Sequence, residues 1–393
     1  MKYSRWELMD RSDLTNRATF VNRNISPMWV VAIKITDSGV RIPAPEPGGL
    51  VMWKRTTAGV AAALAALTML CAPAAADSEA RCTTVQIPVT LQPGRPPQHV
   101  VSGTLCTPAA YTDGVRRVDV LVHGGTYNSD YWQWPQNPGL YSYARKTTDA
   151  GRASFAYDRP GSGASTRPPS AALTIAADAH VLHQVIQWLG TRNFAQTTVV
   201  GHSLGSIIAI AEAAGYDDVD RLVLTGALHP PALAPGALLT IASFSPAILD
   251  PKFAGRPIDL GYLTTLPGTR AASFYRTPTA DPAVISRDEA EKDTMSGVEL
   301  SDSAVRVAVP PGLNDANRVR ADVLAIVGQH DAAVCGMLLN CGRDANVRAN
   351  EAPYFTSAAS LTGAAVPRTG HVLALHPSAD LSFARINQWI NAH

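Results

Sequence analysis

The sequence predicts an α/β architecture, a mixed and mostly parallel eight-stranded sheet with helices on both faces. Three observations carry this reading. Short apolar runs rich in β-branched residues recur near 83–90, 97–105, 117–122, 153–157, 197–201, 219–225, 323–328 and 363–367. From the third run onward they alternate with helical patterns near 138–150, 173–190, 204–215, 352–361 and 378–391, the rhythm of βα units. The fifth run stops at Gly201-His202-Ser203-Leu204-Gly205 and passes straight into a small-residue helical stretch, a strand–turn–helix signature.

The first two runs are expected to pair as an antiparallel hairpin, with Cys82 opening one and Cys106 closing the other. Val118-Asp119-Val120-Leu121-Val122 reads as a buried strand that ends in His123-Gly124-Gly125-Thr126. The fourth run ends at Tyr157-Asp158. In Thr174–Thr191, Ile175, Leu182, Val185, Ile186 and Leu189 recur at helical spacing. His180 and His183 are i,i+3 neighbours there, and with no third ligand in the segment they read as part of a helix face, not as a metal site. At the elbow, Gly201 and Gly205 lack a Cβ, so the chain can bend sharply and the helix can pack close to the sheet.

Between Leu228 and Arg320 the βα rhythm breaks. The stretch is rich in Pro, Gly, Phe, Tyr and Leu and includes the helix-prone Ser286–Asp293. It reads as a helical lid inserted between strands six and seven, spanning about 228–320. Phe244, Phe253, Tyr262, Phe274 and Tyr275 are candidates for lining an apolar pocket. The seventh strand pattern leads to Asp331, and the short eighth run leads to His371. Crossovers in such sheets are right-handed, so the loops that follow strand ends share one rim. Ser203, Asp331, His371 and the Gly124–Thr126 loop all fall there.

These residue types suit acyl transfer. A serine hydroxyl at a helix N-terminus has free N–H groups nearby to receive a developing oxyanion. Leu204 N–H is one candidate donor and Gly125 or Thr126 N–H the other. His371 is the candidate base and Asp331 the candidate orienting acid. His330 and His376 are weaker candidates by position, since His376 precedes Pro377 and a terminal helical pattern. His123 reads as a loop organiser. The chain order is serine, acid, histidine.

On these motifs the chain resembles serine hydrolases of the α/β-hydrolase superfamily, from about Thr83 to its end. Tyr157-Asp158-Arg159-Pro160-Gly161-Ser162-Gly163-Ala164-Ser165 is similar to the turn that follows strand four in that family, where Asp158 and Arg159 would brace neighbouring loops. One departure is the separation of 40 positions between Asp331 and His371, longer than usual in the family. The excess falls in the Cys335–Cys341 loop and the segment after it. The resemblance implies cleavage of carboxylic esters or lactones through an acyl-enzyme, without cofactor or metal. Serine as nucleophile sets the chain apart from the aspartate-using epoxide hydrolases and dehalogenases. Thioester, amide or peptide hydrolysis, a perhydrolase side activity, and non-catalytic ligand binding on the same scaffold remain the alternatives.

The 393 residues are 46% hydrophobic and 17% charged, with a net charge of +1. That suits one α/β domain with an insertion acting on a small-molecule acyl substrate, most simply as a monomer, and gives no support to nucleic-acid binding. Met52-Trp53-Lys54-Arg55, the apolar run Ala58–Leu70 and Ala74-Ala75-Ala76 have the form of a secretory signal peptide over 52–76, cleaved after Ala76. The run is shorter than the roughly 20 residues a membrane span needs. Cys71 follows Leu70 in place of a small residue, which does not fit a lipoprotein. Translation is expected to start at Met52, with residues 1–51 an artefact of start assignment or a disordered extension, and 77–393 forming the exported domain. Cys82, Cys106, Cys335 and Cys341 then form an even set in an oxidising compartment, suited to two disulfides. Chain-entropy arithmetic gives about 3.5 kcal/mol for the first closure and about 2.3 kcal/mol for the second. A zinc site from His330 and these cysteines is disfavoured by its spacing.

Overall fold

The computed structural model describes residues 17–20, 31–36, 39–41, 80–229, 235–336 and 339–393. The chain divides into two units, Met1–Cys71 and Ala72–His393. In the first, Arg17–Phe20, Val31–Thr36 and Gly39–Arg41 pair antiparallel, a pairing the sequence pattern does not predict. The signal-peptide segment lies outside the described residues. Among the described residues, no helix is long and apolar enough to cross a membrane.

The second unit carries the sheet. Its strands are β1 (Arg81–Val89), β2 (His99–Thr107), β3 (Arg117–Val122), β4 (Ala153–Tyr157), β5 (Gln196–His202), β6 (Arg221–Thr225), β7 (Asp322–Gly328) and β8 (Ser360–Val366). Their spatial order is β8-β7-β6-β5-β3-β4-β2-β1. The β1–β2 and β2–β4 pairs are antiparallel and every other pair is parallel. All eight predicted runs are strands.

The inner strands read as unbroken apolar runs because both faces of the sheet are covered. Side chains alternate between the two. Val118, Val120, Val122, Val199, Leu222 and Leu224 pack on one side with α2 (Ile175–Gly190) and α3 (Leu204–Tyr216). Leu121, Val200, Val223, Leu324 and Ile326 pack on the other with Phe383, Ile386, Trp389 and Ile390 of the C-terminal helix Ala379–Ala392. Thr174 caps α2 by accepting from Ala177 N–H.

Three expectations are corrected. The helix predicted over 138–150 is two pieces, Pro138–Tyr141 and α1 (Tyr143–Asp149), separated by Ser142, whose side chain accepts from Arg145 N–H to start the second. The helix predicted at 352–361 lies earlier, at Asp344–Glu351, and stops just before Pro353, whose nitrogen has no hydrogen to donate. The insertion between β6 and β7 is not purely helical. Phe244–Pro246, Tyr262–Thr265 and Met295–Ser296 form a three-stranded antiparallel sheet beside the helices Pro235–Ala242, Pro282–Glu291 and Gly297–Ala308. Aromatic and β-branched residues such as Phe244, Tyr262, Thr264 and Thr265 favour extended chain over helix.

Candidate active site

Ser203 sits between β5 and α3 with φ +52° and ψ −117°. A non-glycine residue at positive φ is strained by about 1–3 kcal/mol and persists only where its surroundings fix it. Here they do. Ser203 N–H donates to Thr225 O at 2.8 Å, and Ser206 N–H closes on Ser203 O at 2.9 Å. A Cβ on Gly201 would stand 2.6 Å from Gly205 O, and one on Gly205 would stand 2.3 Å from Val122 O. Both glycines are required by close backbone approach, as the motif implies.

Asp331 follows β7 and is fully buried. Its carboxylate accepts from Ala333 N–H at 3.0 Å and from His371 Nδ1 at 2.9 Å. That contact assigns the proton to Nδ1 and leaves Nε2 as the basic nitrogen. His371 and Ser203 both line one cavity of about 170 Å³. No hydrogen bond joins the two side chains among the described residues, an arrangement common before substrate binds. Asp331 O also accepts from Cys335 N–H at 2.8 Å, and Cys335 is disulfide-bonded to Cys341. Cys82 lies opposite Cys106 across β1–β2 and is bonded to it. With its cysteines committed, the His330 zinc site has no sulfur ligands.

His376 takes a structural place. Its Nδ1 donates to Val372 O at 2.9 Å, while Nε2 accepts from Gly370 N–H at 3.1 Å and Arg276 N–H at 3.2 Å. Burial holds its pKa below the ordinary histidine value. His330 is exposed, next to the acid in sequence. His123 organises its loop: Nδ1 donates to Gly124 O, and Nε2 accepts from Arg159 N–H. Asp158 accepts from Ser129 and Ala164 N–H groups. The Arg159 guanidinium joins Gly124 O, Asp178 and Glu299, tying the glycine loop to α2 and to the insertion.

Gly125 and Leu204 lie on the cavity wall. Thr126 does not; it is buried, with its hydroxyl accepting from Arg270 Nη1 and its carbonyl from Asp293 N–H. Of the two residues offered for that donor, the geometry favours Gly125. Among the aromatic candidates, Phe244 and Phe274 line the cavity. Tyr262, Tyr275 and Phe253 are buried where the insertion meets the rest of the domain, with the Tyr262 hydroxyl on Pro168 O and the Tyr275 hydroxyl on Asp288. Most of the remaining wall is aliphatic or sulfur-bearing, including Ile207, Leu228, Met295, Leu300 and Val334, with Tyr127, Thr240 and Ser303 adding hydroxyls; no sequence pattern singles these residues out.

Sequence reasoning also missed His202, legible only as the variable position of the elbow. Its ring stacks on Tyr131 at 4.4 Å and lies 5.0 Å from that of His371. Its Nδ1 donates to Thr225 Oγ1 at 3.1 Å, since that hydroxyl donates onward to Gly201 O. Burial, reinforced by the nearby His371, pushes its pKa well down. It is a neutral shelf behind His371.

The alpha/beta hydrolase family model matches residues 120–382, from β3 into the last helix. The chain belongs to the alpha/beta hydrolase family. Solved structures agree at the level of fold. An esterase from Thermogutta terrifontis is 18% identical, with a TM-score of 0.52, covering 79% of this chain and 98% of its own. A proline iminopeptidase from Mycobacterium smegmatis is 19% identical, with a TM-score of 0.50 and coverages of 79% and 98%. A bromoperoxidase from Bacillus anthracis is 16% identical, with a TM-score of 0.50 and coverages of 79% and 100%. No protein with a curated description matches this hydrolase by sequence.

Proposed function

We propose that this alpha/beta hydrolase is a secreted serine hydrolase that cleaves carboxylic esters or lactones through an acyl-enzyme. The observation that carries the reading is the His371–Asp331 contact, with His371 bordering the same cavity as the strained Ser203. His371 Nε2 takes the Ser203 proton as Oγ attacks the carbonyl carbon. Asp331 holds the Nδ1–H tautomer and stabilises the imidazolium. The N–H groups of Leu204 and Gly125 receive the oxyanion, each donor lowering the barrier by about 3 kcal/mol. The imidazolium then protonates the leaving oxygen, and water repeats the sequence on the acyl-enzyme.

The fold itself serves several chemistries, as its structural relatives include an esterase, an iminopeptidase and a bromoperoxidase. The cavity wall favours an apolar acyl or lactone substrate over a charged peptide: among the described residues that line it, none is a Lys, Arg, Asp or Glu. Two disulfides suit the oxidising compartment to which the signal-like segment would deliver the chain. The test is hydrolysis of p-nitrophenyl esters of graded chain length by the wild type and Ser203→Ala. Turnover of apolar esters that Ser203→Ala abolishes, with the fold intact by circular dichroism, is expected. Undiminished turnover by Ser203→Ala contradicts the proposal.

A further inference from the structure

Of the two histidines of α2 that lacked a third ligand in sequence, His183 acquires carboxylate neighbours in space, while His180 Nδ1 pairs with the Tyr216 hydroxyl. His183 Nδ1 stands 2.8 Å from an Asp218 carboxylate oxygen and 3.6 Å from Glu212 Oε1. One ligand atom from each of the three residues lies within 4.8 Å of the others. Ligands held about 2.0–2.2 Å from a tetrahedral zinc-type ion stand roughly 3.3 Å apart, and the two imidazole–carboxylate distances bracket that separation. The three side chains come from α2, α3 and the turn leading into β6.

These groups are close without satisfying one another. The Glu212 side chain is wholly buried, no N–H or hydroxyl group donates to either of its oxygens, and the one other side chain within hydrogen-bond reach is the Asp218 carboxyl. His183 Nδ1 and Asp218 Oδ1 are likewise unpartnered, so the close His183–Asp218 approach is not aligned for N–H donation. No Lys or Arg pairs with Glu212 or Asp218 among the described residues. An ionised carboxylate without donors is costly to bury. Either a proton is shared between the two acids or a cation sits among them.

The supporting contacts favour the cation. His183 is stacked on Tyr216 at 3.9 Å between ring centroids, which fixes its ring plane. Gln187 Nε2 donates to Asp218 Oδ2 at 2.9 Å, an outer contact of the kind that orients metal ligands. His183 and Asp218 remain about one-fifth exposed, leaving an entry path and room for water to complete the coordination. Glu212 lies about 8 Å along α3, at the standard helical rise, from Ile207 on the cavity wall, and is not itself a lining residue.

We propose that His183, Glu212 and Asp218 form a binding site for one divalent cation of the zinc or manganese class, clipping α2 to α3 and the turn before β6. One imidazole with two carboxylates suits such ions better than calcium, which prefers oxygen ligands alone. The test is calorimetric titration and thermal unfolding of the EDTA-stripped protein with zinc, manganese, calcium and magnesium chlorides, repeated on Asp218→Asn and His183→Gln. These two positions are partly exposed, so replacing them spares the fold better than replacing Glu212, and either variant suffices if the other misfolds. One zinc or manganese per chain is expected. Tm should rise on the order of 5 °C at about hundredfold excess over Kd, with binding at least about tenfold weaker in the variants. Absence of zinc and manganese binding, binding of calcium alone, or affinity unchanged in both variants would overturn the site.

Discussion

Ser203, His371 and His376 show how one residue type or conformation acquires its role from its surroundings. The positive φ of Ser203 is held by backbone contacts that only glycine neighbours allow, so the G-x-S-x-G spacing carried real geometric information. His371 and His376 are five positions apart and both buried, but their ring nitrogens differ. His371 spends Nδ1 on Asp331 and borders the cavity, whereas His376 spends both nitrogens on backbone. His371→Gln is therefore expected to lower kcat/KM by at least about 10³-fold, while His376→Gln lowers it less than about tenfold; steady-state kinetics on both variants check this. His376 makes a separate contribution to stability. Its folded pKa is depressed, so between that value and about 6.5 only the unfolded chain takes up a proton. This part of the stability is intact above about pH 6.5 and lost as pH falls below it. In urea titrations, His376→Gln should be less stable than wild type near neutrality, but with a shallower loss toward about pH 5.5.

Among the elements, the inner strands were legible because each is a short apolar run covered on both faces, and α3 because it follows the elbow. Boundaries failed where local chemistry outweighed periodicity, at Ser142 and at Pro353. The turn after β7 joins stability to the site. Asp331 O receives Cys335 N–H, so the Cys335–Cys341 bond braces the acid's own turn. Cys335→Ser/Cys341→Ser is expected to cost about 2 kcal/mol in denaturant unfolding and to lower kcat at unchanged pH. Loss of stability with kcat intact would mean that the disulfide holds only its loop.

For the whole molecule, the crossover rule was enough to bring Ser203, Asp331 and His371, spread from position 203 to 371, to one rim. The insertion was far less legible. Its three-stranded sheet is made by residues up to 52 positions apart, from Phe244 to Ser296, and its cavity wall draws on scattered residues with no shared period. The His183–Glu212–Asp218 cluster was hidden for the same reason, since only packing of α2 on α3 assembles it. If the insertion shapes the acyl site, Phe244→Ala should raise KM for longer apolar esters at least about tenfold while changing short-ester kinetics little; equal effects across chain length would remove Phe244 from that role. The central claim is that the Ser203 hydroxyl is made nucleophilic by its setting. The most direct measurement is labelling with a fluorophosphonate followed by peptide mass spectrometry. One phosphonyl adduct per chain on the Ser203 peptide, absent from Ser203→Ala and much slowed in His371→Gln, is the expected result. An unlabelled wild type, or an adduct on another residue, would contradict it.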